Sequence, residues 1–216
     1  MDLIGTFIQF FQSGGAFMYP IVLVLALGLA ISLERWLFLS RSYRANRSLW
    51  ADLLPLMNKG DLGAAEKTAN ASDTAIGRVL GHGLSRSLAN GSRQDVELAM
   101  EESLMEVMPL LEKRTHYLAT YANIATLIGL LGTIIGLIKA FTAVANVNPA
   151  EKADLLSASI SVAMNTTAFG LIAAIPLLLL HAWLTTKTSE LVDSLEMVTV
   201  RLSNLMVAGD GERGQQ

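Results

Sequence analysis

Two apolar segments, Tyr117 to Val147 and Leu155 to Trp183, are each roughly thirty residues long, and their only acidic residues lie in the short connection from Asn146 to Asp154. About 20 apolar residues suffice to cross the hydrocarbon core of a bilayer. Both segments can therefore span it, and their excess length predicts that the inner ends continue as helix beyond the membrane. A third run, from Phe17 to Leu33, or from Leu3 if the apolar N-terminus is counted, is also long enough to span. The overall composition agrees: 52% hydrophobic residues and a mean hydropathy of +0.44 are too apolar for an ordinary soluble domain of this size. The fold class expected is an all-α membrane protein with three transmembrane helices.

Charge placement orients the spans. No Lys or Arg precedes Arg35, after which Arg41, Arg44 and Arg47 follow closely. By the positive-inside rule this flank is cytoplasmic and the N-terminus lies outside. Lys113 and Arg114 before the second span, and Lys187 and Arg201 after the third, give the same orientation, whereas the outer connection carries Lys152 alone. Met1 and Asp2 open a segment with no basic region, so no cleaved signal peptide is expected. The absence of cysteine removes disulfides, thiolate nucleophiles and cysteine-type zinc sites together. The histidines His82, His116 and His181 have no second ligand at helical spacing, so no metal site or cofactor is expected. No basic cluster points to nucleic acid.

These signals divide the chain into an N-terminal segment with the first span (1–34), a cytoplasmic helical region (35–114), the second span (115–147), a periplasmic loop (148–154), the third span (155–184), a cytoplasmic amphipathic helix (185–207) and a disordered tail (208–216). The first span is expected to continue as helix to Met57, where Asn58, Gly60, Asp61 and Gly63 form a breaker cluster. Ser92 with Asp95 resembles a capping box. The helix it opens is expected to run directly into the second span as one rod. Pro20, Pro109 and Pro176 are expected to set bends.

Chemistry inside the membrane rests on few side chains. Thr133 and Thr167 lie symmetrically about Ala150, which places their hydroxyls at one depth if both segments are regular helices. Gly129, Gly132 and Gly136 leave one side of the second span nearly smooth and suited to close helix packing. On that reading the Thr133 hydroxyl bonds the carbonyl of Gly129 in its own helix. Asn165, Thr166 and Thr167 follow one another in the third span, ahead of Gly170, and need partners in hydrocarbon. They point about 100° apart, so at most two face one groove; with Thr133, all three are candidate ion-pathway residues. No Asp or Glu occurs from Leu3 to Leu33, from Tyr117 to Ala150 or from Leu155 to Ser189. A carboxylate for cation or proton transfer would have to come from another chain. Lys139 is expected to snorkel to the outer interface, Glu34 and Arg35 to form a solvated interfacial pair, and His181 to anchor beside Trp183; Lys139 and His181 are also candidate accessory groups.

At these residues the chain resembles a known family. LIGLLGTIIGLIKAF and MNTTAFGLIAAIP are similar to the second- and third-span signatures of the MotA/TolQ/ExbB proton-channel family, and SLERWLF and IGRVL to weaker motifs of it. Three spans resemble the ExbB/TolQ branch. The resemblance implies that Thr133 and Thr167 line an ion path. It also implies a homopentamer around two ExbD/TolR-like single-span chains, each supplying a midspan aspartate, in the bacterial inner membrane. Two positions depart from the family pattern: Val162 stands where a glutamate is usual, and Thr126 where a proline is common. Thr166 beside Thr167 resembles the paired threonines of sodium-driven stators, which makes Na+ near this pair the alternative to H+.

The function this implies is the ion-channel subunit of a motor that couples the ion gradient to mechanical work on a periplasmic or outer-membrane client. A non-conducting membrane scaffold is the competing class. Three spans without an inverted repeat disfavour a solute transporter, and no convergence of nucleophile, base and orienting group suggests an enzyme.

Overall fold

A computed structural model describes residues 10–11, 14–89, 91–145 and 148–213, the last seven by backbone alone. Six helices follow one another among the described residues: α1 (Met18–Asn58), α2 (Leu62–Asn70), α3 (Ala75–Leu88), α4 (Arg93–Glu112), α5 (His116–Ala145) and α6 (Pro149–Arg213). Three helical stretches, within α1, α5 and α6, are long and apolar enough to cross a membrane. The expected positions before residue 10, the end of the second span at 146–147 and the last three residues of the tail lie outside the described residues.

Local chemistry sets the helix ends. α1 stops where Gly60 takes a left-handed φ of 74°, which glycine adopts without steric cost. Asp61 caps α2 by accepting from the Ala64 amide at 3.0 Å, and Thr74 caps α3 through the Gly77 amide at 3.1 Å. Ser92 and Asp95 form the reciprocal capping box that opens α4. The rod expected from Ser92 into the second span is in fact two helices. Arg114 sits at φ 66°, a left-handed conformation that a helix cannot pass through, so α4 ends at Glu112 and α5 starts at His116. The loop expected over 148–154 is mostly helix: Pro149 opens α6 with its fixed φ, and the Glu151 amide donates to the Asn148 carbonyl at 3.0 Å. At its far end α6 continues to Arg213, past position 208 where a disordered tail was expected to begin.

The chain divides into two compact units, one of residues 1–34 and 114–183 and the other of 35–113 and 184–216. The first unit holds the apolar parts of α1, α5 and α6. Its core is Met18, Ile21, Ala122, Ala125, Phe169, Ala173, Ala174 and Leu177, with Phe10 and Phe11 packed against it. Leu23, Leu127, Ile138 and Leu179 are exposed on its outside by 60% or more. So large an apolar exterior is what a bilayer, or further protein within it, covers.

The second unit packs the polar end of α1, α2 to α4 and the end of α6 around Leu53, Leu80, Leu84, Met100, Leu195 and Leu202. Arg35, read above as a solvated partner of Glu34, is instead 2% exposed. Its guanidinium donates to the Leu111 carbonyl at the end of α4 and lies 4.6 Å from the Phe38 ring centroid. Glu34 pairs with Arg114 at 3.2 Å within the first unit. The difference arises because the α4 terminus offers unsatisfied carbonyls to a buried cation, which favours charge at that end of a helix. Replacing Arg35 by alanine is expected to destabilise the second unit by about 2–3 kcal/mol, the loss of a buried charged hydrogen bond; chemical denaturation followed by circular dichroism in detergent measures it.

A second clip joins α4 to α6, where the Ser203 hydroxyl donates to Glu97. That bond, and then Arg93, hold the Glu97 carboxyl below its ordinary range. A depressed carboxyl contributes stability above its unfolded pKa and loses it as pH falls through the folded value. The clip is therefore expected to be intact at neutral pH and to weaken only below about pH 4.3, the ordinary glutamate value. Ser203→Ala is expected to move the Glu97 titration midpoint upward, as followed by carboxyl-carbon NMR.

Candidate functional site

In the first unit α5 and α6 approach most closely along the glycines of α5. A Cβ built on Gly129 would lie 3.3 Å from Gly170 Cα, the Thr166 carbonyl oxygen and Thr167 Cα; one on Gly136 would lie 2.9 Å from Ala163 Cβ. On Gly132 it would meet the Thr166 side chain, with Thr166 Cβ at 3.1 Å and Phe17 Cβ at 3.4 Å. The reverse holds at Gly170, where a Cβ would lie 2.8 Å from the Ala125 carbonyl oxygen and 3.1 Å from Gly129 Cα. Gly129 and Gly170 face backbone atoms, whereas Gly132 and Gly136 face the Thr166 and Ala163 side chains, so these small residues let the two helices approach closely. The register sets Gly129 against Thr167, Gly132 against Thr166 and Gly136 against Ala163. Thr133 and Thr167 thus lie within about one helical turn, ~5 Å, of the same level.

Each of the three threonines uses its proton differently. Thr167 donates across the interface to the Gly129 carbonyl at 2.8 Å. Thr133 donates to Leu130 in its own helix at 2.6 Å. The expected bond from Thr133 to Gly129 is not formed, since that carbonyl is taken by Thr167. Two adjacent carbonyls of α5 therefore accept the two hydroxyl protons, and each threonine oxygen keeps its lone pairs for another donor or a cation. An acid that carries its proton, or a bare cation, suits such oxygens; a carboxylate does not.

Thr166 faces elsewhere. It is 2% exposed, and its hydroxyl lies 2.6 Å from the Gly14 carbonyl oxygen and 3.0 Å from that of Val162. Asn165 is half-buried beside it. Thr166 and Thr167 do not converge on one groove, because consecutive helical side chains diverge by about 100°. Val162, at the family's usual glutamate position, faces the N-terminal turn, with its Cγ1 3.5 Å from where a Cβ on Gly15 would lie. Thr126 bonds the Ala122 carbonyl at 3.1 Å. Lys139 is exposed near the end of α5, and among the described residues no acidic side chain pairs with it. His181 is half-buried in α6, fourteen residues or about 21 Å along the axis from Thr167, so it is not part of this cluster.

The Gly14 carbonyl was not foreseen, although the Gly14-Gly15 doublet signals a turn that approaches another backbone. Gly15 takes φ 73°, and the turn it makes delivers that carbonyl to Thr166.

The described residues thus define an all-helical membrane protein with three candidate spans, whose second and third apolar helices close on a stripe of glycines and threonines. The chain belongs to the MotA/TolQ/ExbB proton channel family, whose model matches residues 71–197. It is 28% identical over 200 residues to an ExbB homolog of Methanothermobacter thermautotrophicus, covering 92% of this chain and 70% of that protein. It is 31% identical over 188 residues to the ExbB-like 1 biopolymer transport protein of Synechocystis, covering 85% and 72%. A shorter match, 34% identical over 90 residues, joins it to the Tol-Pal system protein TolQ of Haemophilus influenzae, covering 42% and 37%. These relatives place it in the ExbB/TolQ-like branch.

Proposed function

We propose that the chain is the ion-conducting stator subunit of an ExbB-ExbD/TolQ-TolR-type motor of the bacterial inner membrane. Five copies surround two single-span partners, and the N-terminus is periplasmic. The observation that carries this reading is the pair of threonine oxygens, Thr133 and Thr167, whose protons are both committed to neighbouring carbonyls of α5 in a wall free of carboxylates. Such oxygens accept a hydrogen bond from a protonated partner aspartate. Once neutral, that side chain passes the apolar wall formed by residues such as Leu127 and Leu130 without the penalty of a buried charge. Release of the proton on the cytoplasmic side then accompanies a step of the pentamer relative to the partner dimer. One charge crossing 100 mV supplies about 2.3 kcal/mol for work on a periplasmic or outer-membrane client.

The proton is favoured over sodium because Thr166, the second hydroxyl a sodium site would use, is turned to Gly14 instead of joining Thr167. Proteoliposomes carrying the subunit and its partner are expected to pass protons equally in sodium-free and sodium-containing buffer. Flux that requires sodium would make Na+ the ion.

A further inference from the structure

One long-range contact in the first unit lies outside the Thr133–Thr167 pair. Thr166 donates to a carbonyl 152 positions away in sequence, that of Gly14. Around that bond the N-terminal turn is fastened at several points. The Phe17 Cβ lies 3.4 Å from a Cβ built on Gly132, and Val162 Cγ1 3.5 Å from one built on Gly15. The Phe10 and Phe11 rings lie 6.3 and 5.8 Å from that of Phe169. Gly132 thus looks onto α6 and the N-terminal turn at once, and the Thr166 methyl fills the space between them.

We propose that Thr166 is a positioning residue for the ion site, a latch that ties the N-terminal turn to α6 and so fixes how the adjacent Thr167 presents its oxygen. This rests on the reading of Thr133 and Thr167 as the ion path. Helix α6 is held on one side by Thr167 on Gly129 and on another by Thr166 on Gly14, and two hydrogen bonds about 100° apart add to its packing a restraint on rotation in two directions. Removing the latch leaves the Gly14 carbonyl buried without that donor, a penalty in a bilayer because no water replaces it.

The test uses the full chain with its partner in proteoliposomes, and the absence of cysteine gives a clean labelling background. Spin labels at Ala16→Cys and Ser161→Cys, both exposed positions, report the distance between turn and helix, with labelled chains diluted into unlabelled ones. A narrow distribution is expected in the otherwise native chain and in Thr166→Ser, which keeps the hydroxyl. Thr166→Val, which keeps the shape, is expected to broaden it and to lower proton flux about tenfold, the equivalent of one buried hydrogen bond, while Thr166→Ser retains flux. A Thr166→Val distribution as narrow as the native one overturns the latch. Broadening with native flux overturns its positioning role. If Thr133→Val and Thr167→Val also leave flux untouched, the ion-path reading fails by itself, because the label distances report the latch independently.

Discussion

Gly170→Leu is expected to abolish the closed α5–α6 pair and with it any assembled channel, and Gly170→Ala to destabilise the first unit by about 1–3 kcal/mol through overpacking. Even a methyl group at this position would lie 2.8 Å from the Ala125 carbonyl oxygen and 3.1 Å from Gly129 Cα. Both are backbone atoms, which cannot rotate away as a side chain can, so the helices must part. Parting them also lengthens the bond from Thr167 to Gly129. Gly129→Ala is expected to be milder, because its nearest contacts stand at 3.3 Å and a shift of a few tenths of an ångström relieves them. Thermal unfolding of the purified subunit in detergent orders the variants. For a chain of this length each 1 kcal/mol corresponds to about 2–4 °C in Tm. An equal or reversed ranking would show that the glycine stripe does not set the helix separation.

Much of this architecture was legible because it is written in short-range spacing. Three glycines at intervals of three and four mark a smooth helix face whatever lies opposite, and Gly170 has the matching place on α6. Ser92 with Asp95 specifies its own helix start. The features that escaped depend on distant neighbours. Arg35 reads as an interfacial cation from its position after the first span, and only the carbonyl of Leu111, 76 residues on, buries it. Arg114 carries no sign of a break in its composition; its left-handed backbone separates two helices that periodicity alone joins into one. Thr166 and Thr167 look interchangeable as adjacent hydroxyls, yet their partners lie on different segments, and the Gly14 carbonyl has no side chain to announce it. Periodicity therefore identified which faces pack, whereas which oxygen each hydroxyl serves is a tertiary fact.

Thr133 and Thr167 matter most as oxygens that accept a hydrogen bond from the protonated partner aspartate. Valine at either position keeps the shape and removes that oxygen. At Thr167 it also removes the bond to Gly129, so Thr167→Ser serves as the control that retains both. Losing one hydrogen bond of about 1–1.5 kcal/mol in the rate-limiting transfer lowers flux about tenfold, and removing both oxygens compounds it. The direct measurement is proton flux in proteoliposomes holding the subunit and its single-span partner under an imposed membrane potential. Thr133→Val and Thr167→Val are expected to lose about tenfold each, the double variant to fall to the level of a partner lacking its aspartate, and Thr167→Ser to remain near native. Undiminished flux in both valine variants, with the complex intact, would contradict the account and leave the two threonines a packing role in a non-conducting scaffold.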